Sequence, residues 1–110
     1  MEFKDLADRF AKLQKKFDEI TGQSGVMTLY LENNDWYFSI SSTEFSVSDH
    51  GKELSDPISV IEKIVYAENF PSRVEKVKAE IEAAKKKYQA EKDLENLFGA
   101  NVKDDKTLLN

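Results

Sequence analysis

The sequence predicts an α+β fold: an N-terminal helix, a three-stranded antiparallel meander and two C-terminal helices, in the order α-β-β-β-α-α. Three observations predict it. Apolar residues recur at three- and four-residue intervals near both ends of the chain. They alternate with polar residues in the middle. Clusters of turn-forming residues separate the two patterns. The chain has 110 residues, 40% of them apolar, with seven Phe, four Tyr and one Trp. That size suits a single domain with a core of its own. The domain is expected over residues 1–99, with a loose tail over 100–110.

The first element is a helix over about 3–21. Phe3, Leu6, Phe10, Leu13, Phe17 and Ile20 share one face, and charged residues from Lys4 to Lys16 occupy the other. Gly22 is its stop signal. A loop, Gly22-Gln23-Ser24-Gly25, leads into a strand over Val26 to Glu32. Asn33-Asn34-Asp35 is a turn cluster, because Asn and Asp tolerate positive φ. Trp36 to Ser41 alternates large apolar residues (36, 38, 40) with smaller or amphipathic ones, as a strand with one buried face does. The alternation resumes at Phe45 and Val47 for a third strand, and Asp49-His50-Gly51-Lys52 reads as the next turn. Asp56-Pro57 reads as a helix start, Asp as cap and Pro in the first turn. Ile58, Ile61, Ile64 and Val65 continue that helix to about Glu68. Asn69-Phe70-Pro71 reads as a break, and Ser72 with Glu75 as a capping box. The last helix is expected over about 73–98, ending at Gly99. Its apolar seam is Val74, Val77, Ile81, Ala84 and Tyr88, then Leu94, Leu97 and Phe98.

The net charge is −5, and it sits almost wholly in residues 22–56, which carry six acidic groups and only Lys52 as a base. A nucleic-acid binder shows the opposite sign. There is no cysteine, which excludes disulfides and thiolate chemistry and fits a reducing compartment. The charged start Met1-Glu2-Phe3-Lys4-Asp5 does not read as a signal peptide. No apolar run approaches the ~20 residues that cross a bilayer. The expected setting is therefore cytoplasmic, with no membrane contact.

No catalytic apparatus is legible, so the chain reads as a non-enzyme without cofactor. His50 is the only histidine, and metal sites with nitrogen ligands usually recruit more than one. The serines alternate along strands, without an adjacent base to activate them. Lys85-Lys86-Lys87 fans around a helix and makes no single patch. Trp36 and Phe38 face one side of their strand, so Tyr37 faces the other, among the acids and with Tyr30 a candidate neighbour.

Two resemblances concern nucleic acid directly. Gly22-x-x-Gly25 has the spacing of the KH-domain clamp, but that clamp joins two helices among basic residues, and here the loop joins a helix to a strand. The order over residues 3–68 resembles a double-stranded-RNA-binding domain. That family opens the helix after its sheet with a lysine cluster. Here the position reads Ser55-Asp56-Pro57-Ile58-Ser59, so direct nucleic-acid binding is not expected.

The element order and the acidic stretches Glu32-Asn33-Asn34-Asp35 and Glu44 to Asp56 resemble small phage or prophage accessory proteins, anti-CRISPR inhibitors among them. The resemblance implies a phage-type inhibitor in a bacterial cytosol. Its acidic surface would occupy a basic nucleic-acid-binding site on a host protein. The candidate partner-binding residues are Glu32, Asp35, Tyr37, Glu44, Asp49 and Glu53. The alternative is a self-associating assembly protein. A final helix of about 26 residues is roughly 39 Å long, against a compact body of roughly 34 Å. Leu94, Leu97 and Phe98 at its end are the candidate homodimer contact.

Overall fold

The computed structural model describes the backbone of residues 2–109 and side chains through Leu97. The elements are α1 (Phe3–Thr21), β1 (Val26–Glu32), β2 (Asp35–Ser41), β3 (Ser46–Gly51), α2 (Ser55–Val65) and α3 (Phe70–Leu109). This is the expected α-β-β-β-α-α order. The chain divides into two compact units, Met1–Val74 and Glu75–Asn110.

In the first unit, α1 buries Leu13 and Phe17 completely, and Leu6, Phe10 and Ile20 pack beside them. Phe3, expected on the same face, is 85% exposed, because it sits in the first turn, beyond the packed part of the stripe. The helix ends where the sequence predicts. Gly22 takes the left-handed conformation (φ 72°) and its N–H donates to the Asp18 carbonyl at 2.8 Å. Thr21, the buried polar residue there, turns its hydroxyl back to the Phe17 carbonyl at 2.8 Å, so its burial leaves no donor unmet.

The three strands form an antiparallel sheet in the order β1-β2-β3. A two-residue loop joins the first pair, with Glu32 opposite Asp35. Asn33 and Asn34 both take positive φ, 52° and 65°, which identifies a type I′ turn, the form whose twist suits a hairpin. β3 pairs from Ser41↔Ser46 to Trp36↔Gly51. The expected turn at Asp49-His50-Gly51 is therefore strand, and the chain bends only after Gly51. β2 extends far enough to offer these residues ladder partners, and that outweighs their turn propensity. Gly51 is also required by packing, since a Cβ there would lie 2.6 Å from the Asp56 Cβ.

Three helix boundaries ahead of the end of α3 differ from expectation. Asp56 lies inside the first turn of α2 and not at its cap; its Oδ2 instead accepts the Glu53 N–H at 3.1 Å. α2 stops at Val65, short of Glu68. Phe70-Pro71 opens α3 and does not break the chain. Proline is tolerated in a first turn, whose N–H groups have no intrahelical acceptor. The Asn69 carbonyl receives the Arg73 N–H at 3.1 Å. Ser72 is not a cap, and its hydroxyl donates to that same Asn69 carbonyl at 2.9 Å.

The core lies on one face of the sheet. Phe38 and Ile40 of β2 meet Leu13 and Phe17 of α1, Ile58, Ile61 and Val65 of α2, and Phe70 and Val74 at the start of α3. Phe10 and Phe38 stack with ring centroids 5.2 Å apart. Burying each such side chain contributes about 1.5–3 kcal/mol. Arg9 forks onto Glu62, with Nε to Oε2 at 3.1 Å and Nη2 to Oε1 beside it, and this ties α1 to α2. That hydrogen bond, working against desolvation, raises the Arg9 pKa. Burial first, and the Glu62 charge second, raise that of Tyr66.

The second unit is the continuation of α3. Ile81 is half-buried, while Tyr88, Leu94 and Leu97 are exposed. α3 runs through Gly99, the expected stop, and on as helix to Leu109, where a loose tail is expected. A lone glycine costs a helix only about 1 kcal/mol and does not by itself end it. The side chain of Phe98 lies outside the described residues.

Candidate functional site

Strand alternation assigns every residue of the sheet to one of two faces. Phe38 and Ile40 define the core face. Their cross-strand partners Leu29, Met27, Asp49 and Val47 share it. The other face carries Thr28, Tyr30 and Glu32 from β1, Asp35, Tyr37 and Ser39 from β2, and Ser48 and His50 from β3. The helical core residues all pack on the opposite side, so this outer face is open.

One rung organises it. Tyr30, Tyr37 and His50 are direct cross-strand partners. Tyr30 and Tyr37 stack at 5.0 Å with planes 6° apart, and Tyr37 and His50 at 5.2 Å and 23°. Strands lie ~4.8 Å apart, so near-parallel rings at this spacing must stand upright on the sheet. Their faces meet one another, and their edges and phenolic hydroxyls point to solvent. Aromatic pairs of this kind contribute about 0.5–1.5 kcal/mol beyond area burial. An open groove of about 360 Å³ is lined by the rung together with Phe38, Ser39, Ser48 and Asp49.

Charge is placed at one end. Asp35 Oδ1 receives Lys52 Nζ at 2.8 Å, and its Oδ2 lies 3.9 Å from His50 Nδ1. The second distance is too long for a hydrogen bond, so stacking holds His50. Glu32, opposite Asp35, is exposed at the hairpin end of the same face.

The six candidate partner-binding residues are therefore divided. Glu32, Asp35 and Tyr37 come together. Asp49 belongs to the core face of the sheet. Glu53 lies beyond β3, its N–H bonded to Asp56. Glu44 sits past the far end of β2, about 20 Å along the strand from Asp35 at 3.3 Å per residue. There the Gln23 side chain holds it. Gln23 Oε1 receives the Glu44 N–H at 3.1 Å and the Ser42 hydroxyl at 2.6 Å, and Gln23 Nε2 donates to Glu44 Oε1. Of the candidate self-association residues, Leu94 and Leu97 are 54% and 67% exposed.

Sequence reasoning missed His50 and Lys52 as parts of the face, because both stood in an expected turn. The Tyr30–Tyr37 pairing had a usable signal. Counting outward from the Asn33-Asn34 turn places the two rings opposite each other. Among the described residues, no cluster of three His, Asp or Glu side chains is placed to hold a metal ion. No described helix is long and apolar enough to cross a membrane. Compared with family models, curated proteins and solved structures, the chain matches none.

Proposed function

We propose that the protein is a non-enzymatic binding module that engages a basic surface of a partner protein through the outer face of its sheet. The observation that carries this reading is the upright Tyr30–Tyr37–His50 rung on an uncovered face. Tyrosine presents large, rigid contact area at low entropic cost and is enriched in binding hot spots. Nucleic acid is the weaker fit. Bases stack on exposed ring faces, and here the rings already face one another on a chain of net charge −5. Glu32, beside the rung, gives the face its preference for a basic partner. A phage-type inhibitor that occupies a nucleic-acid-binding groove is the finer form of this reading. It asks for carboxylates in one line, and only Glu32 and Asp35 share the rung's face.

The test is affinity capture with the immobilised protein and a Glu32→Lys/Tyr37→Ser variant. The expected result is a basic protein retained by the unaltered chain, released by salt and not retained by the variant. The variant should still melt cooperatively, at a lower temperature because half-buried Tyr37 gives up two stacking contacts. Glu32→Lys alone, at an exposed position, should melt within a few degrees of the unaltered chain. Equal retention by the two proteins would remove the rung and Glu32 from the interface and with them the proposal.

A further inference from the structure

β1 is an edge strand, and its free edge is almost without the features that keep sheet edges from pairing. It is a seven-residue strand with unbroken pairing to β2, so it has no bulge. It contains no Pro and no Lys, and its single charge, Glu32, stands at its end. Leu31 is 55% exposed. Such an edge is a template for another strand.

The positions of its open hydrogen-bonding groups follow from the turn. The two-residue loop closes on Glu32 and Asp35, which exchange hydrogen bonds, and alternate pairs back to Val26 and Ser41 do the same. The N–H and C=O groups of Gly25, Met27, Leu29 and Leu31 therefore point away from β2. At Gly25 both are already taken, the N–H by Asp18 Oδ1 at 2.7 Å and the carbonyl by Gln14 Nε2 at 2.8 Å. Side chains of α1 thus close the edge at one end. Among the described residues, no other element caps Met27, Leu29 or Leu31.

We infer that this edge pairs with β1 of a second copy of the chain, antiparallel about Leu29, and joins two sheets into one of six strands. A two-fold axis at Leu29 places Met27 opposite Leu31 of the second copy. It lets the three open residues exchange about six backbone hydrogen bonds. Cross-strand partners share a face, so the apolar row of Met27, Leu29 and Leu31 continues across the junction. The register also separates the charges. Each Glu32 falls opposite a Val26, and the two carboxylates stand at opposite ends, about 20 Å apart. Registers shifted by two residues lose open groups to the turn or to the capped Gly25. A foreign strand has no such reason to match the edge. The inference is independent of the proposed role of the outer face, and it places self-association at the sheet edge and not at Leu94 and Leu97.

The test begins with sedimentation of the full chain at rising concentration, beside Leu31→Pro and Leu94→Glu/Leu97→Glu variants. At position 31 a proline removes an outward N–H, which an edge strand tolerates, so the hairpin should survive. The expected result is a dimer whose dissociation constant rises at least about tenfold in Leu31→Pro and is unchanged in the helix variant. Should Leu31→Pro fail to fold, single cysteines decide the matter, since the chain has none of its own. The register sets Thr28 opposite Tyr30 of the second copy as a non-hydrogen-bonded pair, with Cα atoms about 4.5 Å apart, within disulfide reach. Thr28→Cys mixed with Tyr30→Cys should therefore oxidise to the mixed dimer in clear excess over either homodimer. A chain that stays monomeric at high micromolar concentration, or mixed oxidation no better than either variant alone, would overturn the inference.

Discussion

Gly25 sits where α1 meets the sheet, and a methyl group there has nowhere to go. An added Cβ would lie 2.8 Å from Phe17 Cδ1 and 3.0 Å from Ile40 Cγ1, both on fully buried side chains. No left-handed backbone is involved, so the demand is one of packing alone. Gly25→Ala should therefore destabilise by about 1–3 kcal/mol, the usual range for overpacking a close-packed core, read as a lower urea midpoint at unchanged slope. Adding Phe17→Leu in the same chain should cost less than the two single changes together, because they compete for one space. Strict additivity would mean that Phe17 had already moved aside. A sequence shows Gly25 only as loop punctuation. The contact that makes it obligatory joins Gly25 to Phe17 of α1 and Ile40 of β2, two other elements, and no local pattern carries it.

At the scale of elements, the hairpin between β1 and β2 was the most legible part of the molecule. Asn33-Asn34 stood between two β-rich runs, and both residues do adopt positive φ. Asn34→Ala places a residue without a compensating side-chain hydrogen bond in that conformation and should cost about 1 kcal/mol. Asn34→Gly should be neutral or gain a few tenths, since glycine is the preferred second residue of a type I′ turn. Thermal denaturation of the pair checks this, and an Ala variant as stable as the Gly variant would mean that the turn type is wrong. β3 was less legible for a physical reason. Asp49, His50 and Gly51 have the composition of a turn, yet β2 supplies partners for all of them, and tertiary pairing overrides propensity. The same override moved Phe70-Pro71 from an expected break into a helix start. The error mattered for function, because it hid His50 from the aromatic rung. The acidic stretch was legible only as composition. Its division between two faces depends on register, and an expected turn that begins at Asp49, inside the last three residues of β3, erases that information.

For the whole molecule, the sequence-based expectation of one domain over 1–99 rests on chain length and on an apolar seam in the last helix that skips at Glu91. The core makes a narrower demand. Every residue of the buried cluster lies between Leu13 and Val74, and the first compact unit ends at Val74. From Ala79 to Leu97 the helix keeps only Ile81 half-buried and exposes the rest. Among the described residues, the apolar burial that opposes chain entropy is therefore concentrated in the first two thirds of the chain. A chain ending after Glu82 keeps Val74 about two turns inside its last helix. It should unfold in one cooperative transition with a melting temperature within a few degrees of the full chain's, while its helical signal falls by the residues removed. Circular dichroism on the two chains decides it. A shortened chain that melts without cooperativity would show that residues beyond 82 supply burial the core needs. A matching transition would place both the fold and the aromatic face in the first unit, and leave the exposed stretch of α3 free to be altered without disturbing either.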